Sequence, residues 1–247
     1  MRNLIIAGLM ICNGHILAQT QIEEKVAVRS GQNVKMDFED PKLIKVHTWE
    51  RQEVVIKGSV SINRGEHDSA FEIVAEQGSD AVVITARIKN RDDIPKRTVI
   101  RKGDQEYYFP TGDPNDPAIQ KFFSEHGREY TYMSNGIIHD ITLEVFVPKG
   151  TTCSIDAKFG LVEVTGFEAP LTVNSIFGGI DATVVTGKTG ELIARTRFGE
   201  ILTNLDAEFT PADHADNDHW TEIRTTPGKG PNYEFESKFG KVYLRKL

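Results

Sequence analysis

The chain has 247 residues, 39% of them hydrophobic and 26% charged, a balance that supports a folded core. Its formal charge is −7, from 36 acidic and 29 basic residues. A surface of that sign repels phosphate backbones and disfavours general nucleic-acid binding, and no segment beyond the N-terminus approaches membrane-spanning length.

Residues 1–18 read as a signal peptide. Arg2 supplies the positive end, and Leu4 to Cys12 form an apolar run too short to cross a bilayer. Asn13 and Gly14 break the run, and Ala18 offers a small residue before Gln19. The chain is therefore expected to be exported, to the periplasm, the outer-membrane surface or the medium. Ile11 stands where lipid attachment to Cys12 would want a small residue, which argues against a lipoprotein. If Cys12 leaves with the signal, only Cys153 remains, so packing rather than an internal disulfide must hold the fold.

Residues 19–88 alternate apolar and polar in short runs. Val34 to Phe38, Val54 to Ile62, Phe71 to Ala75 and Val82 to Ile88 all show it, with β-branched residues and breaks at Gly, Asn and Asp. That is the strand signature, and about six strands are expected here. Residues 89–136 differ, being rich in Pro, charge and aromatics, and read as an irregular insert with one helix. Asp116 can cap that helix, Pro117 can open it and Gly127 can end it, with Ile119, Phe122 and Phe123 on one face. Gly112 to Asp116 reads as a turn leading into the cap. The basic stretch Lys89, Arg91, Lys96, Arg97, Arg101 and Lys102 is interrupted by Asp92, Asp93, Asp104 and Glu106, which favours a solvated loop face over an anion site.

Residues 137–247 resume strong alternation at Ile141 to Val147, stop at Pro148-Lys149-Gly150, and then repeat. The tag is Phe-Gly, at Phe159, Phe177, Phe198 and Phe239, with steps of 18, 21 and 41 residues. The long last step implies one degenerate or interrupted unit. Two residues before each Phe stand Ala157, Ser175, Thr196 and Ser237. Four before stand Ile155, Val173, Ala194 and Phe235, and six before stand Cys153, Leu171, Leu192 and Tyr233. Val162, Ile180, Ile201 and Val242 follow three residues after. A strand with one buried face needs such columns. A unit this short cannot bury its own apolar face, so the pattern predicts an all-β protein whose coils stack at about 4.8 Å as a parallel β-solenoid, continuous with the N-terminal strands. The phenylalanines are expected to stand in file with their rings inside, and the Gly after each to permit a corner that a Cβ would block.

The N-terminal strand series, the run Thr142 to Gly150 and the Lys-Phe-Gly repeats together resemble the bacterial "putative adhesin" family of β-strand repeats, a domain of unknown function among exported proteins. The resemblance covers most of residues 25–247 and implies a right-handed β-solenoid in or outside the cell envelope. It brings no catalytic residues with it, and the 89–136 insert departs from its plain repeat.

No catalytic or cofactor motif stands out, and no cofactor is expected. Asp213, His214, Asp216, Asp218 and His219 are the most ligand-rich stretch, but their spacing fits neither a calcium loop nor a zinc-protease His pair. They are weak metal candidates, and a polar loop explains them as well. Glu163 and Asp181 fall in one outward column on adjacent coils, followed by Leu202 and Tyr243, so a carbohydrate-cleaving pair would stop at those two acids. Asp156, Lys158, Arg195, Arg197, Glu236 and Lys238 form a mixed-charge face. The leading expectation is a non-enzymatic binding or structural module, with an unknown protein or glycan of the envelope as partner. A polysaccharide-active β-helix enzyme and an envelope sensor acting through protein contacts are the alternatives.

Overall fold

The computed structural model describes residues 19–211 and 219–247. The N-terminal region supplies β1 (Thr20–Ala27), β2 (Asn33–Phe38), β3 (Leu43–Trp49), β4 (Glu53–Ile62), β5 (Phe71–Gln77) and β6 (Ala81–Ile88). The insert carries β7 (Arg97–Lys102), β8 (Gln105–Phe109), α1 (Pro117–His126) and β9 (Tyr132–Gly136). Then come β10 (His139–Pro148), β11 (Cys153–Ala157), β12 (Leu161–Thr165), β13 (Leu171–Ser175), β14 (Ile180–Val184), β15 (Leu192–Thr196) and β16 (Ile201–Thr203). The chain finishes with β17 (Thr210–Pro211), β18 (Thr221–Thr225), β19 (Tyr233–Ser237) and β20 (Val242–Lys246).

The described residues are mostly β, in two large mixed sheets and one small one. The first sheet runs β1-β4-β10-β3-β12-β14-β20-β16, and the second runs β17-β18-β15-β19-β13-β11-β2-β6-β5. Their inner faces meet in one core, where Met36, Phe38, Ile44, Ile155, Val173, Phe235 and Leu244 are all buried. The columns read from the sequence are the inward rows of these strands. Cys153 pairs in register with Leu171, Leu171 with Tyr233, and Tyr233 with Leu192.

Each Phe-Gly tag sits at the corner between a second-sheet strand and a first-sheet strand, so β11/β12, β13/β14, β15/β16 and β19/β20 are four equivalent coils joined by parallel ladders. A fifth coil lacks the tag. β2/β3 runs parallel to β11/β12, with Val34 opposite Cys153 and Ile44 opposite Val162, but its corner is Asp40-Pro41. The expectation of a parallel solenoid is thus met only in part. β1, β4, β5 and β18 pair antiparallel with their neighbours, and the sheets are mixed.

Chain order is not spatial order. The step of 41 residues implied a hidden unit, but β18 instead runs antiparallel along β15 and covers its outer edge, and β17 pairs antiparallel with β18 beyond it. The chain then returns, and the last coil inserts between its predecessors. β19 lies between β13 and β15, and β20 between β14 and β16.

Glycines make the corners possible. A Cβ on Gly178 would stand 1.5 Å from the carbonyl oxygen of Gly160, one on Gly240 2.0 Å from that of Gly178, and one on Gly199 2.0 Å from that of Gly240. Their backbones touch, so the need is for close approach rather than for an unusual φ. Buried hydroxyls knit the same corners. Ser237 donates to the Gly178 carbonyl at 2.8 Å and accepts from the Gly240 amide at 2.9 Å, and Thr196 donates to the Gly240 carbonyl at 2.9 Å. This explains why Ser and Thr fill a row that looked merely small.

The insert is less irregular than its composition suggested. Its helix starts and stops as expected, with Asp116 accepting from the Ala118 amide at 2.8 Å. The strands β8-β7-β9, however, form a three-stranded sheet. Ile100 packs on Ile119 and Phe122 of α1 in a small second core. Thr98, Val99 and Ile100 are buried in succession because both faces of β7 are covered, which removes the alternation that would have marked a strand.

Candidate binding surfaces

The regular corner makes the most distinctive surface. In sequence order the tags are 159, 177, 198 and 239, but in space the rings stack as Phe159, Phe177, Phe239 and Phe198. Successive centroids are 5.4, 5.2 and 5.1 Å apart, with ring planes within 17°. The coil spacing sets this distance.

The rings do not enter the core, contrary to the sequence expectation. Their exposures are 38%, 55%, 45% and 54% in the same spatial order, and Ile176 beside them is 42% exposed. Alternation from Ile155 through Ala157 would carry Phe159 inward, but the strand ends at Ala157 and the chain bends, so the period no longer applies. Lys158, Lys238 and Arg197 lie over the edges of this stack, 5.7, 5.7 and 5.2 Å from the centroids of Phe159, Phe239 and Phe198. An exposed aromatic rail with a basic margin thus runs along a protein whose net charge is negative.

The outward row of the second sheet carries the rest of the mixed-charge face. In register it reads Asp37, Asp156, Asn174, Glu236, Arg195 and Glu222. Arg195 donates to Glu236 in the same row at 2.6 Å and also pairs with Glu234 in the next outward row of β19, so its charge is met within the sheet face. Asn174 donates to Asp156 at 2.8 Å. Partial burial, with Glu39 and Asp156 close by, pushes the Asp37 carboxyl above its ordinary range.

Glu163 and Asp181 are direct neighbours, as the column predicted. Each has its own cation. Lys45 stands 3.8 Å from Glu163, and Arg245 donates to both oxygens of Asp181 at 2.6 and 2.9 Å. Beyond Asp181 the row continues with Tyr243 and then Leu202, because the last coil intervenes. Arg245 is a partner that the sequence columns did not suggest.

The basic stretch of the insert is largely paired. Arg91 meets the buried Asp40, Arg97 meets Glu66 at 2.6 Å, Arg101 meets Glu106 at 2.9 Å, and Lys102 caps the His126 carbonyl. Cys153 is a free, buried thiol, and its burial pushes its pKa far above the usual range. Of the weak metal candidates, Asp213, His214, Asp216 and Asp218 lie outside the described residues, as does the signal segment 1–18, and only His219 is described. Among the described residues no group of three or more His, Cys, Asp or Glu is placed to hold a metal. Among them, too, no helix is long and apolar enough to cross a membrane.

No family model and no curated protein matches the chain. Two solved structures align along nearly its whole length. A "putative cell adhesion protein" from Clostridium sporogenes is 9% identical, covers 93% of this chain and 100% of its own, and gives a TM-score of 0.48. A "putative adhesin" from Bacteroides fragilis is 11% identical, covers 94% of this chain and 99% of its own, and gives a TM-score of 0.24. Likeness at this level carries no argument about function, which has to rest on the surfaces themselves.

Proposed function

We propose that the protein is an exported, non-enzymatic β-solenoid, right-handed and adhesin-like, that serves as a binding or structural module of the bacterial cell envelope. Its partner is a protein or a glycan of that envelope. The observation that carries this reading is the exposed phenylalanine rail with its basic margin. A folded protein rarely leaves a contiguous row of large apolar side chains in water without a use for it. Stacked coils hold the row rigid, so little side-chain freedom is lost when a partner covers it.

The test is retention on isolated envelope fractions. The double variant Phe177→Ser/Phe239→Ser is expected to lose at least ten-fold in retention while keeping its β circular-dichroism spectrum. Unchanged retention with an intact fold removes the rail from the account. The alternatives make different demands. A polysaccharide-active enzyme requires cleavage that disappears in Glu163→Gln or Asp181→Asn, and an envelope sensor requires co-purification with a membrane-bound regulator.

A further inference from the structure

A second surface lies away from the rail, where the insert meets the ends of β4 and β10. A cavity of about 370 Å³ opens there, within the size range of small-molecule sites. Arg64, Arg101, Glu106, Tyr108, Tyr132 and Asp140 contribute to its wall. The Arg64 guanidinium lies 4.1 Å over the Tyr108 ring, and that of Arg101 lies 5.7 Å over Tyr132. Both reach the same carboxylate, Glu106, at 3.9 and 2.9 Å. Asp140 is already taken by Lys42 at 2.6 Å. Two guanidiniums therefore share one anion, which leaves a local positive surplus in a protein of charge −7.

The backbone beneath Arg64 is strained. Asn63, Arg64 and Gly65 have φ of 49°, 60° and 95° in succession. Gly and Asn tolerate the left-handed region, but a long side chain such as Arg seldom occupies it. Asn63 is fully buried and clamped. Its side chain donates to the Pro95 carbonyl at 2.8 Å and accepts from the Ile138 amide at 3.1 Å, while its own amide donates to the Ile138 carbonyl at 2.7 Å. The turn is thus held in place by the insert and by the entry to β10, and it puts Arg64 against the cavity. Gly or Asn at position 64 would make the turn without strain but would supply no guanidinium. Strain maintained by such a clamp marks positions kept for use.

We propose that this cavity binds an acidic saccharide, with its carboxylate between Arg64 and Arg101 and the apolar face of its ring against Tyr132. Paired guanidiniums suit a carboxylate, Tyr132 gives the ring an apolar surface, and Glu106 and Ser134 take its hydroxyls. A single carboxylate meets less repulsion from Glu106 than a doubly charged phosphate would, and a bare phosphate would gain nothing from the tyrosines. The inference deepens the envelope-binding reading by naming a ligand class, but it uses none of the rail residues. Loss of either binding activity can therefore be told from loss of the other.

The experiment is calorimetric titration of the full chain with galacturonate, glucuronate and sialic acid, as monomers and short oligomers, beside galactose and glucose as neutral counterparts. Saturable binding of an acidic sugar is expected, at least ten-fold tighter than its neutral counterpart. Arg64→Gly relieves the left-handed strain, so it should hold or raise the thermal midpoint while weakening binding at least ten-fold. Arg101→Gln, on an exposed strand face, should weaken it similarly. No saturable binding by any acidic sugar overturns the proposal, as does equal binding of the neutral set or full affinity in both variants.

Discussion

Gly178→Ala is expected to cost on the order of 4 kcal/mol of folding stability, among the largest effects a single methyl can have. The reason is geometric. The new Cβ would stand 1.5 Å from the Gly160 carbonyl oxygen, which is backbone, and the Gly240 corner closes the other side. No side chain can swing away to make room, so two coils must separate and lose ladder hydrogen bonds. Gly187→Ala provides the control, because nothing lies within 4 Å of its Cβ position and its φ is not left-handed. It should stay within about 0.5 kcal/mol of the parent protein. Denaturant midpoints of both variants check this. A Gly178→Ala protein as stable as the Gly187→Ala protein would show that the corners do not touch.

The second large effect separates two phenylalanines of one coil. Phe235→Ala is expected to cost about 3–5 kcal/mol, because Phe235 is 1% exposed between Val173 and Ala194, and its removal leaves a cavity between coils that cannot close. Phe239→Ala, four residues on, should cost roughly 1–2 kcal/mol, since its ring is 45% exposed and contributes mainly stacking on Phe177 and Phe198. Thermal unfolding of the pair reads the difference directly. If the two variants are equally destabilised, then the rail is core after all.

These contrasts mark what the sequence makes legible. The rows headed by Cys153, Ile155 and Ala157 were readable because a strand with one buried face repeats every two residues, and four copies agree. The rings of Phe159, Phe177, Phe198 and Phe239 were misplaced because that period stops where a strand bends, and hydrophobicity alone does not say on which side of a corner a residue falls. The coil β2/β3 went unnoticed because Asp40-Pro41 replaces the Phe-Gly tag, with Asp40 accepting from the Ile88 amide at 2.7 Å to hold the bend. The intercalated last coil could not be read from columns at all. Every coil presents the same rows, so the columns allow any stacking order.

The candidate sites divide in the same way. The adjacency of Glu163 and Asp181 followed from column position. Arg245 beside Asp181 did not, because that cation comes from the coil that inserts out of order. The insert's basic stretch gave no hint that Arg101 would share a cavity with Arg64, since Arg101 lies on β7 of the insert's own sheet and Arg64 in the turn after β4. The one local signal was Asn63-Arg64-Gly65, a turn-forming triplet whose middle residue is ill suited to it.

The order of the coils is the claim on which the rail, the glycine corners and the energetics of Phe235 all depend, and cysteine pairing tests it most directly. In a Cys153→Ser background, Asn174→Cys/Glu236→Cys places the thiols on neighbouring strands in register, within the span a disulfide can bridge. Asn174→Cys/Arg195→Cys places them on strands separated by β19, about 9–10 Å apart and beyond that span. Mild oxidation should therefore cross-link the first pair and leave the second reduced. A disulfide in the second pair and none in the first would mean that the coils stack in the order in which they are written, with no coil between Asn174 and Arg195.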